Sequence, residues 1–111
     1  MPREVVITGA GAVTPFGVGA PDLWNAVSQG KSGIDWLSSL ADLDEQQYPV
    51  RFAGEVKDFD VDQHLDRHCE VRREKGLQMA LVAAQEALRR ADLLDSVGMY
   101  SQQTPVATLV G

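Results

Sequence analysis

The 111-residue sequence predicts an α/β fold in which two parallel strands are neighbours and helices connect them. The first strand is predicted at Glu4–Thr8, a β-branched run that ends at Gly9, and the second at Val106–Val110, before Gly111. Short apolar runs bounded by glycine are typical of buried parallel strands. The strongest helical pattern lies between them, from about Val71 to Leu93, so a right-handed crossover is the expected connection.

A first helix is predicted to begin at Pro21 and to end before Gly30. Proline suits the first helical turn, Asp22 favours the positive N-terminal end, and glycine suits the left-handed residue that follows a helix. The face predicted to be buried carries three apolar residues: Leu23, Trp24 and Val27.

The middle of the chain predicts less regular structure. Ile34–Tyr48 is mixed and expected to be irregular, with room for one helical turn. Val50–Val56 alternates like a short strand or hairpin arm, and Asp60–Leu65 suits a single helical turn.

The long helix that follows has apolar residues at helical spacing: Leu77, Leu81, Ala84 and Leu88. Five alanines are small enough to allow close packing: Ala80, Ala83, Ala84, Ala87 and Ala91. Arg89 and Arg90 suit the negative C-terminal end, and Ser96–Gln103 is expected to connect the helix to the last strand.

The composition of the chain disfavours several classes of function. The net charge of −6 argues against a nucleic-acid partner, because phosphate binding needs a basic surface. The apolar runs are too short to span a bilayer, and no signal peptide is visible, so we expect no membrane association. The single cysteine, Cys69, cannot form an internal disulfide, which fits a cytoplasmic protein.

Two strands with a few helices cannot cover both faces of a parallel sheet. The chain also stops at a strand–glycine boundary, at Gly111. We therefore expect residues 1–111 to be the N-terminal segment of a larger domain.

Two nucleotide-binding patterns are incomplete. Gly9–Thr14 follows a predicted strand, but Thr14 stands in place of the third glycine of the dinucleotide motif and Pro15 follows it. Gly30-Lys31-Ser32 lacks the upstream glycine of a phosphate-binding loop and follows a helix. A structural turn and a helix end, with Lys31 in solvent, are the preferred interpretations.

Metal-ligating patterns are also weak. Asp58, Asp60 and Asp62 resemble the start of a calcium loop, but the sixth position is Gln63, so Asp60 is expected to cap a helical turn instead. Zinc binding by three nearby residues, His64, His68 and Cys69, lacks a convincing fourth ligand but stays open. Cys69 lacks the setting of a nucleophile, and we predict no metal and no cofactor.

Arg67, Arg72 and Arg73, with Lys75, form the one basic cluster of this acidic chain. The cluster is either a solvated helix face or a surface that binds an anionic partner.

As a whole, the sequence resembles the N-terminal portion of the elongating β-ketoacyl-acyl-carrier-protein synthases, which have the thiolase fold. The matching residues cover almost the whole chain: Val5–Gly9, Gly11, Thr14–Gly17, Leu23–Trp24, Gly30–Ile34, Arg51–Asp60, Gln78–Leu88 and Val110–Gly111. The resemblance implies an incomplete thiolase-like half-domain in which the two predicted strands are neighbours.

The resemblance also implies a function. Family members elongate fatty acids or polyketides by a decarboxylative Claisen condensation between an acyl group on a cysteine and malonyl-carrier protein. The family's catalytic cysteine, histidines and lysine lie beyond Gly111, and neither Cys69 nor His64 nor His68 matches them. Arg67 and Arg72 match positions that bind acyl carrier protein, while His68 stands where a lysine is common.

Three hypotheses follow. The chain is part of a condensing enzyme and inactive alone, part of a noncatalytic partner subunit of such an enzyme, or a small dinucleotide-binding module. Thr14 and Pro15 disfavour the third. Acyl carrier protein and further protein, as a longer chain or a homo-oligomer, are the expected partners.

Overall fold

The computed structural model describes residues 2–65 and 74–94, which contain two antiparallel β-ribbons and two α-helices. The elements follow in the order β1 (Val13–Thr14), β2 (Gly17–Val18), α1 (Ala20–Ser28), β3 (Asp35–Trp36), β4 (Phe52–Ala53), a 3-10 turn (Val61–Gln63) and α2 (Lys75–Arg90).

The first ribbon is a tight hairpin that leads into α1. Thr14 pairs with Gly17, so Pro15 and Phe16 alone form the turn. The Thr14 hydroxyl oxygen accepts a hydrogen bond from the Phe16 N–H at 3.2 Å, a local bond that favours the turn. The predicted loop over Gly9–Gly17 therefore contains a short strand pair.

Helix α1 begins one residue before the predicted Pro21 and ends before Gly30 as predicted, but its predicted buried face is correct only at Leu23, which is half-buried. Pro21 lies in the first turn, and Gly30 has the left-handed φ of 69° and donates to the Val27 carbonyl at 3.0 Å. Ala26 is buried, whereas the side chains of Trp24 and Val27 are 72% and 54% exposed. The side of α1 that packs carries Leu23 and Ala26, which are three residues apart and share a face.

The second ribbon corrects one prediction and confirms another. β4 lies inside the predicted hairpin arm Val50–Val56, but its partner β3 lies inside Ile34–Tyr48, which the sequence predicted to be irregular. The expected helical turn is present at Val61–Gln63, where the Asp60 carboxylate accepts the Asp62 N–H at 3.0 Å.

Helix α2 packs through its small residues. A Cβ atom on Gly11 would collide with the Ala83 carbonyl oxygen, and one on Gly9 would collide with that of Ala87. The segment before β1 therefore lies directly on the helix backbone, which confirms the predicted close packing at these two alanines. The helix begins at Lys75, and the predicted start near residue 71 lies outside the described residues.

The predicted apolar stripe of α2 is only partly correct. Leu77 is 45% exposed and Ala84 is exposed, while Gln78 and Val82 are buried. The buried side of α2 therefore differs from the predicted stripe and lies toward Ala83 and Ala87, whose backbone atoms contact Gly11 and Gly9.

The predicted strand Glu4–Thr8 is a further correction. These residues have no regular structure, and Val5 and Ile7 are 94% and 92% exposed. A strand needs hydrogen-bonded neighbours, and the strand pairs in the described ranges are antiparallel ribbons elsewhere in the chain. The predicted neighbour Val106–Val110 and the connector Ser96–Gln103 lie outside the described residues.

Candidate functional site

The basic cluster predicted to bind an anionic partner is described only at its edge. Arg67 and Arg72 lie outside the described residues, as does Arg73. Lys75, the remaining member, begins α2 and donates from Nζ to the Val56 carbonyl oxygen at 3.1 Å. This lysine therefore ties the start of the helix to the loop after β4.

Glu86 of α2 is the polar centre of the described fold. Its carboxylate accepts the Ala12 N–H at 2.9 Å and the Ala20 N–H at 2.9 and 3.2 Å. Arg90 donates from Nε to the same carboxylate at 3.2 Å. Because the N-cap residue Gly19 has no side chain, Glu86 supplies the acceptor and the negative charge that favour the start of α1.

Sequence reasoning missed this role of Glu86. The signal was an acidic residue among the alanines of the packed helix face, at Ala83 and Ala87. A carboxylate on such a face needs partners, because burying an unpaired charge is costly.

A cleft of about 380 Å³ lies beside Glu86, between α2, the start of α1 and the 3-10 turn. Its polar lining is formed by Gln63, His64, Gln85, Glu86, Arg89 and Arg90. The His64 ring stacks on Phe59, with ring centres 5.9 Å apart and planes at 8°. Among the residues that the structure describes, the lining contains charged, amide and imidazole groups but neither a thiol nor a hydroxyl.

The metal-ligating patterns do not form a site in the described part of the chain. Residues 2–65 and 74–94 contain no group of three His, Cys, Asp or Glu side chains placed to hold a metal ion. Asp60 caps the helical turn as expected. His68 and Cys69 lie outside the described residues, so the zinc hypothesis stays untested.

Glu55 occupies a small anion-binding loop at residues 38 and 39. Its carboxylate accepts the Ser39 N–H at 2.9 Å, and the Ser38 N–H and hydroxyl at 3.0 and 2.9 Å. Hydrogen bonds from Ser39, and then those from Ser38, lower the pKa of Glu55 from 4.5 to about 2. On the second ribbon, the hydrogen bond from Lys57 at 3.0 Å lowers the pKa of Asp35.

The glycine-rich segments serve packing and capping. Gly9 and Gly11 lie against the α2 backbone, so the first segment is filled by protein where a dinucleotide motif would leave room for phosphate. Gly30 ends α1, and Lys31 is exposed, as predicted. In the ranges that the structure covers, no helix is long and apolar enough to cross a membrane.

Comparison with known proteins identifies the family. The family model described as the β-ketoacyl synthase N-terminal domain matches residues 2–111. The 3-oxoacyl-[acyl-carrier-protein] synthase 2 of Staphylococcus aureus is 37% identical over 91 residues, which are 82% of this chain and 21% of that protein. The Synechocystis protein of the same name is 38% identical over 92 residues, covering 83% and 21% of the two chains.

A polyketide protein is also similar. The tetracenomycin polyketide synthase ketoacyl synthase beta subunit of Streptomyces glaucescens is 44% identical over 92 residues, covering 83% of this chain and 22% of the subunit. The chain thus spans about a fifth of the length of the relatives it matches. Its predicted resemblance is confirmed, the family implies a thiolase-like α/β fold, and the chain belongs to the β-ketoacyl synthase family.

Proposed function

We propose that these residues are the N-terminal portion of an enzyme that elongates fatty-acid or polyketide chains. The reaction is a decarboxylative Claisen condensation. The enolate that malonyl-carrier protein forms as it loses carbon dioxide attacks the acyl carbon of a cysteine thioester, a new carbon–carbon bond forms, the C–S bond breaks and the cysteine leaves as the thiolate. The observation that carries the proposal is the family match over residues 2–111, together with relatives named as 3-oxoacyl-[acyl-carrier-protein] synthases.

The catalytic groups are assigned to sequence beyond Gly111. Neither Cys69 nor His64 is expected to be among them, since neither matches the family's catalytic positions. Residues 1–111 would provide part of the scaffold, with Glu86 holding the segment before β1 against α2. In the complete half-domain, Glu4–Thr8 would become a strand beside Val106–Val110, which would cover the exposed Val5 and Ile7.

Acyl carrier protein is the proposed partner, bound in part by Arg67 and Arg72. Both are cations in a chain whose net charge is −6, and cations suit an acidic partner. The complete protein is proposed to work without a cofactor in the cytoplasm, where the one cysteine of these 111 residues would remain reduced. A homo-oligomer or a second subunit would complete the assembly.

A noncatalytic partner subunit is the second candidate. It is favoured by the 44% identity to a protein named as a ketoacyl synthase beta subunit. The two candidates differ at the position of the catalytic cysteine, which lies outside these 111 residues. A dinucleotide-binding module is disfavoured, because helix backbone lies against Gly9 and Gly11.

The test is an assay of the full-length protein with acyl- and malonyl-carrier protein. Ketoacyl product that disappears when a cysteine downstream of residue 111 is changed to alanine supports the first candidate. Product that disappears with Cys69→Ser instead contradicts the assignment of the nucleophile. Absence of product, restored only by adding a second synthase subunit that binds the protein, supports the second candidate.

A further inference from the structure

We draw no further inference here: the strongest candidate, the polar cleft that His64, Arg89 and Arg90 line between α2, the start of α1 and the 3-10 turn, carries nothing, because the chain spans about a fifth of the length of its relatives and nothing in the structure shows what covers the cleft.

Discussion

At the scale of single residues, Glu86 of α2 caps the start of α1, a different helix. The N-cap residue of α1 is Gly19, so the acceptor for the Ala20 N–H comes from a residue 66 positions later in the sequence. The same carboxylate binds the Ala12 N–H and pairs with Arg90. One side chain therefore fixes the start of α1 and the end of the segment before β1.

Replacing Glu86 with glutamine should destabilise this region. The amide keeps one acceptor but loses the charge that strengthens the hydrogen bonds to Ala12 and Ala20, a loss of about 1–3 kcal/mol. Amide hydrogen exchange at Ala12 and Ala20, with chemical denaturation alongside, measures the effect. Glu45→Gln is the control, because the Glu45 side chain is 89% exposed and its ion pair is 3.8 Å long. Equal stability of the two variants would contradict the role of Glu86.

The lowered pKa of Glu55 predicts that the stability of the loop at residues 38 and 39 depends on pH. Its folded-state pKa of about 2 lies below the ordinary value of 4.5. Its contribution to stability is therefore complete above about pH 4.5 and is lost as the pH falls toward 2. Carboxyl ¹³C shifts should give a titration near 2, and S38A/S39A should move it toward 4.5. Ser28→Ala, which removes a hydroxyl from α1, should leave it in place; a wild-type titration near 4.5 would refute the prediction.

At the scale of elements, short-range chemistry predicted the helix ends and the capped turn. The residues that mark these ends act within one helical turn of their own positions, so the sequence alone is enough to predict the ends. They are Pro21, Gly30 and Asp60. The buried faces were harder to predict, because Trp24, Val27 and Leu77 have the right spacing but lie on sides that the described residues leave open. The Glu86 contacts join positions 66 and 74 residues apart, which no local pattern reveals.

The contact between the segment before β1 and α2 can be tested with two glycines. Gly11→Ala should destabilise the protein by about 1–3 kcal/mol, because its Cβ would collide with the Ala83 carbonyl and force the backbone to move. Gly76→Ala should stabilise α2 by up to about 1 kcal/mol, since no described atom lies within 4 Å of the new Cβ. The denaturant midpoints of the two variants are compared with that of the wild type. A Gly11→Ala variant as stable as the wild type would show that the segment before β1 does not pack on α2.

At the scale of the whole molecule, the described residues bury little apolar surface. Ala26, Leu65 and Val82 are their buried apolar side chains, while Val5, Ile7 and Trp36 are among the large ones that remain exposed. The 111-residue chain alone should therefore associate or fold loosely, because exposed apolar surface of this extent favours contact with other protein. Analytical ultracentrifugation and amide spectra test this. A monomer with sharp, cooperative unfolding would contradict it.

Carrier-protein binding is a property expected of the complete protein. If Arg67 and Arg72 bind an acidic carrier protein, R67E/R72E should slow association at least tenfold at low salt, because charges at the edge of an interface mainly steer the encounter. The difference should shrink at high salt, where such charges are screened. Stopped-flow kinetics with the full-length protein measures the association rate at low and at high salt, with circular dichroism as the fold check.

R89E is the control, since Arg89 is an exposed cation near the far end of α2. A folded R67E/R72E variant that associates as fast as the parent at low salt would show that the cluster is only a solvated surface.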